Sequence, residues 1–245
     1  MTKLTPEQEM KQRTRRGFLT LGAAGVAGVA GFAWLRSGTP DGNMAPGLRR
    51  ALEFNGSVTK NVLFSGGNLA PEFPASRAEQ IRPNGDIGLS DDLDANWSMK
   101  VTPYKGGAGE FHLDQVRRLP KVEHTMEFKC IEGWSAIVHW GGARLSDFTA
   151  RYASGSEAAQ YVAMETPDGE YYVGIEMASA LHPQTLLCYE MNGKPLEEKH
   201  GAPLRLVTPV KYGIKNIKRI GSIAYVDAQP KDYWANEGYD YYAGL

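Results

Sequence analysis

The stretch KCIEGWSAIVHWGG, residues 129–142, holds one of only two cysteines in the 245-residue chain. Just before it, VEHTMEFKC alternates so that Val122, Met126, Phe128 and Cys130 share one face, with His124 among them. That period of two is the signature of a strand. After Cys130 the chain turns polar and meets a glycine, so the thiol stands where a strand ends and a loop begins. Trp134, His139 and Trp140 follow within ten positions. A free cysteine is most often a small buried hydrophobe, and that reading suits Cys188 in LLCYEM. At position 130 four roles stay open. The residue is a packed core thiol, a nucleophile, half of a disulfide with Cys188, or a thiolate ligand. A nucleophile needs a base drawn from His124, His139, His182 or His200. A thiolate would serve a soft or high-valent metal whose other donors come from a large organic cofactor.

Working outward, QYVAMET, EYYVGIEM, LLCYEM, PLRLVTPVKYG and IGSIAYV read as strands, and Asn192-Gly193 is a strong hairpin turn signal. ARLSDFTARY has helical spacing at Leu145, Phe148 and Tyr152. Residues 61–95 are irregular and rich in Asn, Gly, Pro and Asp, and a loop of that length is uncommon unless it serves a function. No internal repeat is visible. The sum is an α+β domain with more strand than helix. With 42% apolar residues and a net charge of -1 the composition is globular, and it offers no basic face for nucleic acid. Two cysteines build no disulfide framework. CxxC, CxxCH, HExxH, GxxxxGK[ST] and GxGxxG are all absent.

Residues 13–35 read RTRRGFLTLGAAGVAGVAGFAWL. The pair Arg15-Arg16, then Phe18-Leu19, then a Gly/Ala-rich apolar run, is the layout of a twin-arginine export signal. That route carries folded proteins, which predicts a periplasmic protein that loads a cofactor before export. No A-x-A closes the run, and Gly31-Phe32-Ala33 is its nearest match. Phe18 to Leu35 approaches the roughly 20 residues of a spanning helix, so a retained membrane anchor stands beside cleavage. The predicted organisation is a signal or anchor at 1–35, a linker at 36–60 carrying the short basic helix GLRRALEF, and one domain at 61–245.

KCIEGWS resembles the molybdenum-cysteine segment of the sulfite oxidase superfamily, in the branch of bacterial periplasmic methionine sulfoxide reductase catalytic subunits. Residues 174–223, from GIEMASALHPQ through YEMNGKPL and HGAPLRLV to KYGIKNIKRIGSI, agree over a long run. The resemblance covers roughly residues 60–225. It implies a sulfite oxidase-type α+β fold, with mixed, barrel-like β-sheets and short helices. It also implies a molybdenum-molybdopterin cofactor with a single pyranopterin dithiolene. Cys130 would be the thiolate on the metal. Asn68 in GGNLAPEFP, with Pro71 and Glu72, would approach the pterin, as would Thr166 in AMET. His200 and Arg205 would hold the pterin tail, and a guanidinium suits phosphate through paired hydrogen bonds. Asn216, Ile217 and Lys218 would meet the same phosphate. Tyr171, eleven residues before His182, would stand as the active-site tyrosine. Lys211 and Lys215 read as surface lysines on a basic edge.

The chain departs from sulfite oxidases proper. The arginine expected just before the loop asparagine is Gly67, and none follows the cysteine in CIEGWSAI. A site for dianionic sulfite needs paired charge. The resemblance therefore implies reduction of a small sulfoxide-like or other oxo-substrate, with electrons from a membrane cytochrome b or flavocytochrome partner. The alternatives are sulfite dehydrogenase-like oxidation with cytochrome c as acceptor, and a cofactor-free exported binding module.

Overall fold

The two strands that flank the cysteine turn pair along their whole length, Lys121 opposite Ala143 through Lys129 opposite Ser135. This hairpin is the frame of the site. The computed structural model describes residues 6–37, 44–64, 67–89 and 96–244. Part of the irregular 61–95 stretch, 65–66 and 90–95, lies outside the described residues.

The chain divides into compact units of residues 1–54 and 55–245. The first contains α1 (Pro6–Arg36) and most of α2 (Pro46–Val58). The helix predicted from GLRRALEF is thus longer than that motif, running on through Asn55, Gly56, Ser57 and Val58 although none of these is a strong helix former. In the second unit follow β1 (Met99–Thr102), β2 (Gly109–Phe111), α3 (Leu113–Arg117), β3 (Lys121–Lys129), β4 (Ser135–Arg144) and α4 (Leu145–Tyr152). Then come β5 (Tyr161–Glu165), β6 (Tyr172–Glu176), α5 (Met177–Ala180), β7 (Leu186–Met191), β8 (Lys194–Pro195), β9 (Arg205–Val207), β10 (Ser222–Val226) and α6 (Tyr233–Asn236).

The strands form two sheets, the first mixed and the second antiparallel throughout. One has the order β2-β1-β10-β5-β6, with β1 and β10 parallel. The other runs β3-β4-β7-β8, and β9 also pairs with β7. The barrel-like closure implied by the resemblance is absent. Edge strands of two and three residues offer too few ladder positions to close a sheet. A large core, with Phe148, Ile175, Leu204 and Ile223 fully buried, joins the first sheet and α4 to Ala143, Leu187 and Leu206 of the second sheet. A smaller one gathers Met126, Trp140, Leu186 and Cys188 on the second sheet.

Local chemistry explains the details. Asn192 and Gly193 both have positive φ, 52° and 74°, as the two-residue turn between β7 and β8 requires. At Gly142 the β4–β7 register slips, and a Cβ there would meet the Leu187 carbonyl oxygen at 2.3 Å. Only glycine allows that approach. The strand predicted over PLRLVTPVKYG stops at Val207. Pro209 has no N–H for the ladder.

Beyond it the chain turns inward, and here the structure corrects the reading of Lys211 and Lys215 as surface residues. Both side chains are fully buried. Lys211 donates to Glu176 and to the Tyr242 carbonyl, each at 2.7 Å, and its ammonium faces the Tyr242 ring. Lys215 donates to Asp232 at 2.5 Å and to the Gly174 carbonyl at 3.0 Å, beside the Tyr241 ring. A surface reading failed because the carboxylates that make burial tolerable are 35 and 17 residues away in sequence. Asp232 also caps α6 by accepting from Ala235 N.

Replacing Asp232 by Asn keeps the cap but leaves Lys215 buried without a counter-charge. We expect a loss of about 3–5 kcal/mol of stability, read as a lower urea midpoint of the full chain.

Candidate active site

The hairpin turn closes on itself. Cys130 N–H donates to the Trp134 carbonyl at 2.9 Å, and Gly133 N–H donates to the Cys130 carbonyl at 3.1 Å. Gly133 has φ 89°, a conformation that favours glycine. The turn sets Cys130, 8% exposed, in the wall of a cleft with about 930 Å³ of open space, mouth included. The cleft is walled by the 81–87 loop, the 130–134 turn, residues 213–218, and the C-terminal stretch that brings in Trp234 and Tyr239.

Asn84 Nδ2 stands 3.6 Å from Cys130 Sγ and donates toward it. An amide does not take up a proton, so it is no base for a nucleophilic thiol. Among the described residues no histidine bonds the thiol. His124 pairs with Glu72 at 2.8 Å, His139 with Thr125 at 2.8 Å, and His182 with the Asn68 carbonyl at 3.1 Å. His200 lines the cleft, and burial first, then Arg205 and Lys218, hold its imidazole below the usual histidine range. Both cysteines are free thiols. Cys188 fulfils the core reading: it is fully buried on β7, and burial pushes its thiol up to about 12.

The floor of the cleft is cationic. Arg205, on β9, is 2% exposed. It donates to the His200 and Asn216 carbonyls at 3.0 and 3.2 Å, and its guanidinium lies 5.0 Å from the Trp140 ring centre. Burial pulls it down to about 10. Lys218 donates to the Asn84, Gly85 and Lys199 carbonyls at 2.9, 2.6 and 2.9 Å, and burial, helped by Arg205, pulls it down to about 8. Neither has a carboxylate within ion-pair distance among the described residues. Two desolvated cations held only by carbonyl dipoles make a site for an anion.

Of the residues singled out in the sequence, the structure brings Cys130, Tyr171, His200, Arg205, Asn216 and Lys218 to one cleft. Asn216 is buried, bonded through its side chain to Thr208 N and the Tyr212 carbonyl. Tyr171 is part of the wall, and its hydroxyl already donates to the Ile214 carbonyl at 2.6 Å. Burial, reinforced by the Asp232 charge, raises its phenol. Ile217 faces the core rather than the cleft. Thr166 also lies off the cleft, closing the β5–β6 turn through Asp168 and Tyr171.

Asn68, Pro71 and Glu72 do not line the cleft either. Their segment is clamped on the second sheet, where Gln184 bonds both Ala70 and Glu72, and Glu72 bridges to Met126. The loop asparagine beside the cysteine is Asn84, in RPNGDIG. It lay within the stretch whose aperiodic length pointed to function, but Asn-Gly reads as a plain turn. Two residues before it, Arg82 lines the mouth, a cation that the reading at Gly67 left out. Arg82 is already 3.7 Å from Glu132 and faces Trp134. Trp234 and Tyr239 went unnoticed because nothing local marks a C-terminal tail as part of a cleft.

The donor set fits a cofactor that brings its own metal ligands. Among the described residues no group of three His, Cys, Asp or Glu could hold a metal ion. One thiol in the wall and two unpaired cations in the floor suit a soft-donor, phosphate-bearing group.

Comparison with known proteins agrees. Residues 86–234 match the family model described as an oxidoreductase molybdopterin-binding domain. A protein named as a protein-methionine-sulfoxide reductase subunit, YedZ1, of Azospira oryzae is 33% identical over 238 residues, covering 94% of this chain and 87% of that protein. The protein-methionine-sulfoxide reductase catalytic subunit MsrP of Campylobacter jejuni is 29% identical, covering 99% and 83%. MsrP of Xanthomonas campestris is 36% identical over 153 residues, 56% of this chain and 47% of that one. The sulfane dehydrogenase SoxCD of Paracoccus pantotrophus, 17% identical, shares the fold with a TM-score of 0.52 over 67% of this chain and 46% of its own. The chain therefore belongs to the molybdopterin-binding oxidoreductases.

Proposed function

We propose that this oxidoreductase removes oxygen from a sulfoxide in the periplasm, using electrons delivered by a membrane cytochrome b or flavocytochrome subunit. The observation that carries the reading is a single cysteine thiol in the wall of a cleft whose floor is cationic and whose mouth is neutral and aromatic. When bound, a molybdenum-pyranopterin supplies two-electron oxygen-atom chemistry. Cys130 would ligate the metal, and Arg205, Lys218 and the buried polar groups of Asn216 and His200 would hold the anionic tail. Asn84 orients the thiol. The sulfoxide takes up two electrons and two protons, and leaves as a thioether and water.

The mouth favours this substrate over sulfite. Ile87, Ile131, Trp134, Trp234 and Tyr239 surround it, and sulfur makes favourable contacts with aromatic rings. A dianion would meet there one exposed arginine already shared with Glu132. The relatives' names support the direction: they are methionine-sulfoxide reductase subunits, and "catalytic subunit" implies a separate electron donor. The twin-arginine layout of residues 13–35 supports export. The apolar helix Thr14–Arg36, 23 residues long, supports retention at the membrane.

Two tests follow. Purified protein should carry stoichiometric molybdenum by elemental analysis, Cys130→Ala should lose or alter the metal centre, and Arg205→Gln should lower cofactor occupancy. Sulfoxide should oxidise a reduced dye in the presence of the enzyme, and Trp234→Ala should raise KM roughly two- to tenfold with little change in kcat, since it removes a ground-state contact. Sulfite-dependent dye reduction without sulfoxide turnover would reverse the assigned direction.

A further inference from the structure

Helix α2 meets the end of α1 at a built joint. Gly47 is buried against Leu35, and a Cβ there would come within 2.6 Å of the Leu35 carbonyl oxygen. Arg50 Nη1 donates to the Trp34 carbonyl at 2.6 Å and to Ser37 Oγ at 3.1 Å, and its guanidinium stands 5.0 Å from the Trp34 ring centre. The first turns of α2 therefore lie level with the last turn of α1.

The apolar surface of α1 is uncovered, with Phe18, Leu21, Val26, Val29 and Phe32 all at least 60% exposed. Its apolar stretch, Thr14–Arg36, is 23 residues long. At about 1.5 Å per residue that spans the roughly 30 Å of a bilayer's hydrocarbon. Trp34 and Arg36 close it, the residue types that settle at the interface.

Helix α2 is itself two-sided. At 3.6 residues per turn, Leu48, Ala51, Leu52 and Val58 share one side, with Asn55 among them and Phe54 at its border, while Arg49, Arg50, Glu53 and Ser57 share the other. Leu48 and Phe54 are more than 60% exposed, so the protein leaves this apolar side open. A helix of this kind, with arginines on its polar side, buries its apolar face at a headgroup boundary.

We propose that α2 lies in the phospholipid headgroup layer of the bilayer that α1 spans, its Leu48–Ala51 side toward the acyl chains and its Glu53–Ser57 side toward water. The joint through Gly47 and Arg50 fixes that depth. This proposal rests on the reading of α1 as a retained anchor.

The test places an environment-sensitive NBD label on single added cysteines in the full-length holoprotein, whose native Cys130 and Cys188 are both buried. Leu48→Cys and Ala51→Cys report the apolar side, and Glu53→Cys and Ser57→Cys the polar side. The proteins are reconstituted in nanodiscs of phosphatidylethanolamine and phosphatidylglycerol, and intact mass shows whether α1 is present. With α1 present, the labels at 48 and 51 should emit blue-shifted light and be quenched by doxyl lipid, while those at 53 and 57 stay water-like. Water-like emission at all four, with α1 still in the bilayer, overturns the proposal and leaves the anchor reading standing. If the mass shows α1 removed, the anchor reading fails, and the four labels read with added vesicles decide: lipid-shielded emission at 48 and 51 supports the placement of α2, and water-like emission overturns it.

Discussion

Five cations fall within the fifteen residues from Arg205 to Arg219, and four of them are almost completely buried. A charge removed from water must find a counter-charge or a set of dipoles. The second unit is arranged around that demand. Lys211 and Lys215 reach Glu176, at the end of β6, and Asp232, at the start of α6. Those two pairs bind the C-terminal tail to the first sheet, with the Tyr241 and Tyr242 rings set against the ammonium groups. Arg219 donates to the Ala202 carbonyl. Arg205 and Lys218 hydrogen-bond to carbonyls and meet no carboxylate among the described residues, and of the five these two line the cleft.

The same arrangement divides the cleft into regions with separate chemistry. Its floor is electropositive and desolvated, its wall holds one thiol beside an amide, and its mouth sets isoleucine and aromatic side chains beside the Arg82–Glu132 pair. The mouth depends on a tail that is tied down: Asp232 on Lys215, Asn236 on the Tyr172 hydroxyl and the Tyr233 ring against Tyr171 and Tyr172 hold α6 where Trp234 and the nearby Tyr239 reach the opening. Structural ion pairs and substrate contacts thus belong to one short stretch of chain. Charges that hold the fold together are neutralised inside the protein, and those left for a ligand are not.

Much of this was legible in residue order. The strand-then-loop pattern at Cys130, the Asn192-Gly193 turn and the helix at Leu145–Tyr152 each depend on neighbours within a few residues, and each appears where it was read. Arg205, His200, Asn216 and Lys218 were found through a motif, and they do converge. The misreadings share one cause. Asn68 was chosen by its match to a family asparagine, yet Gln184 and His182, some 114 residues later, hold that segment on the second sheet, outside the cleft lining. Asn84, a turn residue by any local rule, is the one that reaches the thiol. Lysines in KYGIKNIKR look solvated until their distant carboxylates are known.

Residue order by itself determined the class of fold, the strand end at Cys130 and the apolar helix at the N-terminus, properties of spacing and side-chain chemistry that act over a turn or a strand. Arg205 and Lys218 were picked out by the family resemblance. Only the tertiary structure decided which cations are neutralised and which stay available, which asparagine meets the thiol, and that Trp234 and Tyr239 from the C-terminal stretch complete the mouth. Those outcomes depend on charges and rings brought together from positions far apart in the chain, and only folding sets those distances.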